Sequence, residues 1–165
     1  MKTKHNINID SIIIPCLFTC FMLLFSVNLS AQPFVVIKKS KHELVVINEL
    51  DTLFFAPIAC GKNIGQKKEK GDYKTPEGHF KVKEINNSSS WKHDFKDGLG
   101  LIKNAYGPYF IRLDIPRFKG IGIHGTHDES SIGSNCTEGC IRLRNEDLCL
   151  LMNHIYIGMP VDIFP

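Results

Sequence analysis

A histidine and a cysteine lie sixteen positions apart within two glycine-containing runs, Gly122-Ile123-His124-Gly125-Thr126 and Thr137-Glu138-Gly139-Cys140-Ile141-Arg142. A thiol attacks a carbonyl as its thiolate, and an ordinary cysteine is mostly protonated at neutral pH unless a base or a positive charge stands beside it. His124 can supply the base. Side chains alternate along an extended strand, so Cys140 and Arg142 project to one side while Ile141 faces the core. The Arg142 guanidinium can then favour the thiolate, or hold a carboxylate or carbonyl of a substrate through its planar fork of donors. Gly139 permits unusual backbone dihedrals next to the nucleophile, and N–H groups there, such as that of Cys140, are candidates for an oxyanion hole.

A different chemistry uses some of the same residues. His127 stands three positions beyond His124, and with Cys136 and Cys140 the four form a His-x-x-His, Cys-x-x-x-Cys set of the kind that binds zinc in a small non-enzymatic module. That reading leaves Arg142 and the glycines without a reason. Ser134 and Asn135 are polar enough to line a pocket near Cys140.

The elements that must position these residues read as short strands. β-Branched and aromatic runs at 34–38, 43–47 and 52–58, broken by polar turns, predict a three-stranded meander. A polar stretch carrying Lys67, Lys68 and Lys70 is expected to be a solvated loop. It leads to Thr75-Pro76-Glu77-Gly78, whose proline and glycine impose a turn before a strand at 79–85. Residues 86–90 read as a loop and Trp91 as a packing residue. Further strands are expected at 99–103, 109–114, 121–125 and 160–164. One helix is expected, with Asn145 as its N-cap, Glu146 and Asp147 in its first turn, and Leu148, Leu151, Met152 and Ile155 at helical spacing. It follows the nucleophile strand directly, and Cys149 is placed on its buried face.

The chain of 165 residues suffices for one domain with a hydrophobic core. Lys2 and Lys4 precede an apolar run from Ile12 to Leu29 that ends at Leu29-Ser30-Ala31, the layout of a secretory signal, with an uncleaved membrane anchor as the alternative. Residues 32–165 then carry 18 basic and 16 acidic side chains, about +2, too balanced for a nucleic-acid partner. Their four cysteines are Cys60, Cys136, Cys140 and Cys149. In an exported chain a Cys60–Cys136 bridge is conceivable, the alternative being two free thiols.

The two motifs resemble the catalytic signature of the L,D-transpeptidase (YkuD-type) family, in which His-Gly precedes Ser/Thr-x-Gly-Cys-[Ile/Leu/Val]-[Arg/Asn] at about this spacing. The resemblance extends to Thr75-Pro76-Glu77-Gly78-His79-Phe80, to Gly107-Pro108-Tyr109-Phe110 and to Gly158-Met159-Pro160-Val161-Asp162-Ile163, and covers roughly residues 34–164. Two positions depart from the pattern. Thr137 replaces the commoner Ser but keeps the hydroxyl. Glu138 stands where many members carry His or Lys, and is expected to face solvent. The resemblance implies a mainly β (β-rich α+β) sandwich or barrel with one helix after the nucleophile strand. In it Cys140 is the nucleophile, His124 the proton donor and acceptor, Gly139 the backbone beside the nucleophile, and Arg142, Thr137 and Gly125 bind substrate. No cofactor or metal is implied. The implied partners are peptidoglycan stem peptides, with carbapenem β-lactams as inhibitors, in the periplasm or cell envelope. The implied reaction releases D-alanine, forms a thioester and passes the acyl group to an amine in a 3→3 cross-link. Water in place of the amine makes the same site a carboxypeptidase or amidase. An ordinary cysteine peptidase shares the His-then-Cys order but cleaves between L-residues.

Overall fold

The strands of the main sheet are short segments rich in β-branched and aromatic residues, several of them, such as β2 and β12, alternating buried with less buried positions. The computed structural model describes residues 32–95, 98 and 100–165. The secretory-signal and anchor readings lie outside the described residues. The chain forms β1 (Phe34–Lys38), β2 (Glu43–Asn48), β3 (Asp51–Pro57), β4 (Cys60–Gly61), β5 (Gly78–Asn87), β6 (Lys92–Asp94), β7 (Leu101–Lys103), β8 (Tyr109–Leu113), β9 (Gly122–His124), β10 (Asn135–Thr137), β11 (Ile141–Arg142), α1 (Asn145–Leu151) and β12 (Pro160–Phe164). Eight strands make one sheet in the order β11-β9-β8-β5-β12-β1-β2-β3, and β4 pairs with β10 and β6 with β7. This is the mainly β fold expected from the sequence.

Strand β5 bends the sheet. Its first half, Gly78 to Lys81, pairs with β12, and its second half, Val82 to Asn87, pairs with β8, with a register shift between Val82 and Glu84. Such an irregularity increases local twist and turns the strand. It lets a ten-residue strand pass from one half of the sheet to the other, and extends it through Asn86 and Asn87, which the sequence places in a loop. At the far end Ala59, just beyond β3, exchanges both backbone hydrogen bonds with Arg142 of β11, at 2.8 and 2.9 Å. The two edges of the sheet thus meet at the strand that carries the cysteine motif. Between them lies a core that includes Ile37, Leu44, Ile58, Ile111, Ile123, Ile141 and Ile163. Burying one such side chain contributes about 1.5–3 kcal/mol.

The meander β1–β3 matches expectation to within a residue at most ends, and β8, β9 and β12 lie inside the expected spans. Helix α1 is shorter than its apolar pattern implies. It stops at Leu151, leaving Met152 and Ile155 packed against the core from the following turn. Asn145 is not its N-cap: Arg144 holds that position without a side-chain capping bond, and Asn145 is the first helical residue. Cys149 is exposed, because Leu148 and Leu151 take the buried face and residue 149 points away from it. The conceivable Cys60–Cys136 bridge is not formed. Both are free thiols, Cys60 buried and Cys136 exposed.

Candidate active site

Strand β9 lies between β8 and β11, and the register aligns Phe110, His124 and Arg142 across the three strands, with Ile111, Ile123 and Ile141 aligned one residue away. Residues in register share a face, so the three isoleucines fill the core while His124, Phe110 and Arg142 face the other way. There they line a cavity of about 670 Å³. Cys140, the residue just before β11, lines the same cavity as Arg142, as the alternation predicts.

His124 is almost fully buried. Its ring stacks on Phe110 with centroids 5.5 Å apart, and Tyr106 meets it edge-on at 4.9 Å. Nδ1 lies 2.6 Å from the carbonyl oxygen of Gly125. A carbonyl only accepts, so Nδ1 carries the proton and Nε2 of the neutral ring keeps its lone pair. Burial drives the His124 pKa down to about 3; the bond to Gly125 opposes this, while Arg142 and His93 add to it.

Cys140 is half-buried on the cavity wall, its sulfur 3.6 Å from the Gly120 carbonyl. Burial pushes its thiol up to about 11, against a hydrogen bond from the Gly122 backbone; Glu138 raises it further, and Arg142 and Arg112 lower it. Both shifts favour the uncharged forms, a thiol and a neutral imidazole, and burial outweighs the pull of Arg142 toward the thiolate.

Thr137 and Gly139 shape the turn before the cysteine. The Thr137 hydroxyl donates to the Cys140 carbonyl at 2.6 Å and accepts from the Gly139 N–H at 3.1 Å. Thr137 borders the cavity, and its hydroxyl holds the turn that carries Cys140. Gly139 has φ +125°, and a Cβ there would lie 2.7 Å from the Lys74 carbonyl oxygen; only glycine fits on both counts.

Arg142 is buried. Its NH1 group donates to Ser131 Oγ at 2.9 Å and lies 3.7 Å from Cys136 Sγ, and the guanidinium sits 5.6 Å from the Phe95 ring centroid. Among the described residues no carboxylate comes within ion-pair range, and its Nε is buried without a partner. A buried cation with an unspent donor on a cavity wall suits a ligand carbonyl or carboxylate.

Asn145, read from the sequence as a helix cap, is instead a clamp. Its Oδ1 accepts from the Thr126 N–H and its Nδ2 donates to the Thr126 carbonyl, both at 2.9 Å. The amide occupies space that a Cβ on Gly125 would enter at 2.1 Å from Oδ1, which gives the glycine a steric reason. The Gly125–Thr126 backbone that bears the acceptor for His124 is thereby fixed. Tyr106 and Phe110 were also not singled out as partners of the imidazole. The only sequence signal for them was the adjacent Gly107-Pro108-Tyr109-Phe110 segment.

Several other expectations change. The four residues of the zinc alternative do not assemble, and no metal-binding group of three or more such side chains occurs among the described residues. His124 Nδ1 is committed to Gly125, His127 is exposed and stacks on Phe95 at 5.1 Å, and Cys136 adjoins Arg142. Ser134 bonds to the Ser131 carbonyl and Asn135 to His42, both away from the cavity lining. Lys67 is not solvated: it is buried, paired with Asp72 at 2.6 Å, and part of the cavity wall. Glu138 is exposed to solvent, as expected, and also borders the cavity. Trp91 both packs, 5.5 Å from Phe110, and lines the cavity.

Comparison with known proteins identifies the family and the fold. The family model of the L,D-transpeptidase catalytic domain (YkuD) matches residues 32–163. The Bacillus subtilis protein named "Putative L,D-transpeptidase YqjB" is 31% identical over 137 residues, 81% of this chain and 72% of its own. Among solved structures, an L,D-transpeptidase from Mycobacterium smegmatis superposes with TM-score 0.61 at 20% identity over 82% of this chain. L,D-transpeptidase 3 from Mycobacterium tuberculosis, in complex with a faropenem-derived adduct, gives 0.62 at 20% identity over 81% of this chain. This chain spans 59% and 60% of those two chains, so the likeness to them concerns the fold. With the family model matching residues 32–163, and with Cys140, His124 and Arg142 bordering one cavity, the chain belongs to the L,D-transpeptidase catalytic domain family, a family of enzymes.

Proposed function

We propose that the protein is an exported cysteine acyltransferase acting on peptidoglycan stem peptides. Cys140 Sγ attacks the carbonyl that joins the third stem residue to D-alanine, and its proton passes to His124 Nε2 as the S–C bond forms. The C–N bond then breaks, D-alanine leaves with that proton, and a thioester remains on Cys140. An amine of a second stem attacks the thioester, the C–N bond of the cross-link forms, the C–S bond breaks, and a proton from the amine returns to Sγ by way of His124. The peptide-bond energy is kept in the thioester, so the cycle needs no cofactor.

The observation that carries this reading is the shared cavity: the Cys140 thiol, an imidazole with Nε2 left free by the Gly125 carbonyl, and the Arg142 guanidinium all border it. Arg142 is suited to bind a stem carbonyl or carboxylate, and its unpartnered Nε supports that use. A carbapenem offers a strained acyl donor to the same sulfur and is expected to label Cys140. Placement in the periplasm or cell envelope rests on the charged and apolar character of residues 1–31.

The test is incubation of the purified protein with a defined disaccharide-tetrapeptide and mass analysis of the products. Cross-linked dimer supports transfer, tripeptide alone supports hydrolysis of the thioester, and both must vanish in Cys140→Ala. Undiminished product in that variant overturns the proposal.

A further inference from the structure

The cavity beside Cys140 has a charge asymmetry that the thiol and imidazole do not require. Lys67, Lys70, Arg112, Arg117, Lys119 and Arg142 border it, and among the described lining residues the one carboxylate is Glu138. Lys67 and Arg112 are already matched to Asp72 and Glu84. Glu138 has a neighbour on one side: its Oε2 lies 3.5 Å from Nε2 of His93, a nitrogen that is buried and without a hydrogen bond among the described residues. His93 is in turn wedged against Phe95 at 4.5 Å and Tyr106 at 5.5 Å, ring to ring. The Glu138 side chain remains half exposed, two residues before the sulfur.

A negative charge at this position works against the nucleophile. Glu138 is among the groups that hold the Cys140 thiol and the Tyr106 hydroxyl protonated. The same charge favours a positive group beside the reacting sulfur. An ammonium entering the cavity is repelled by its basic wall, and among the described lining side chains Glu138 is the one formal negative charge it meets.

Building on the acyl-transfer reading above, we propose that Glu138, beside His93, is the specificity residue for the acceptor, holding the second substrate as an ammonium ion next to the thioester. Glu138 makes and breaks no bond. The bound ammonium gives one proton to solvent, the free amine attacks, and the second proton passes to His124 and then to the departing Sγ as the C–N bond forms and the C–S bond breaks. Selection of an amine over water follows from the charge of residue 138, one of the two positions at which this chain departs from the family pattern.

The experiment loads the protein with a tetrapeptide donor, adds glycinamide as a cationic acceptor at subsaturating concentration, and reads the ratio of aminolysis to hydrolysis products by mass spectrometry. In Glu138→Gln the ratio is expected to fall about tenfold, the size of one half-exposed charge-assisted contact. Glu138→Lys should lower it further, and Glu138→Asp should retain part of the wild-type ratio. A ratio in Glu138→Gln within about twofold of wild type, with the acyl-enzyme detected, overturns this inference alone. Absence of an acyl-enzyme in the wild-type protein overturns the proposed function and this inference with it.

Discussion

If burial leaves Cys140 as a neutral thiol, its reaction with a simple alkylating agent must be slow at neutral pH and keep rising well into the alkaline range. The perturbation is pH, varied from 5 to 10 with iodoacetamide present. The thiol is displaced from an ordinary 9.0 to about 11. Two units mean about a hundredfold less thiolate at pH 7 than an unperturbed cysteine holds. A more basic thiolate is also a better nucleophile, and with a Brønsted slope of about 0.4–0.5 the two units return nearly tenfold. The net expectation is a rate about tenfold below that of a free model thiol at pH 7, rising about tenfold per pH unit to pH 10 without a plateau. Site-resolved peptide mass analysis over time separates Cys140 from the exposed Cys136 and Cys149. A plateau between pH 6 and 8, at a rate matching or exceeding the free thiol, would reveal a preformed thiolate–imidazolium pair. That result would refute the desolvation argument.

Stability should respond to pH through the same pair. His124 binds its proton at about 3 in the folded protein and at 6.5 unfolded, so between those values the unfolded chain carries the extra proton. Its contribution is fully present above 6.5 and is lost as pH falls through that window, by up to about 1.4 kcal/mol per pH unit. Urea midpoints from pH 4 to 7 should therefore slope less, by one proton, in His124→Gln, and an identical slope would contradict the buried neutral ring. Asn145→Ala removes two hydrogen bonds and leaves the buried Thr126 backbone groups unpaired, at an expected cost of about 2–4 kcal/mol. Denaturant unfolding measures that cost, and a change below about 0.5 kcal/mol would rule out the clamp. Gly139→Ala meets both a positive φ and the Lys74 carbonyl, and should lose at least about 2 kcal/mol together with carbapenem labelling of Cys140. Wild-type labelling in a stable variant would show that the turn tolerates a side chain.

Much of the architecture was open to inspection because it is local. Alternation in Ile123-His124 and in Cys140-Ile141-Arg142 told which side chains face the core and which face away, and the strand spans are correct wherever apolar and polar residues alternate cleanly. Errors arose where a residue had two local uses and a distant partner chose between them. Asn145 suits a helix cap, yet a pair of backbone groups at Thr126 offers its amide both a donor and an acceptor. Lys67 reads as a loop lysine until Asp72 and the cavity wall enclose it. Cys149 shares a helix with buried leucines but lies off their face.

The order of residues in this chain determined the candidate reacting groups, the family motif and the strand periodicity, because each depends on neighbours within a few positions. Tertiary structure decided the alignment of Phe110, His124 and Arg142, the closure of the sheet through Ala59 and Arg142, and the protonation of the thiol and imidazole. Those depend on which strands become neighbours and how much water they exclude. Burial is a sum over atoms contributed by the whole fold, and no short segment contains it.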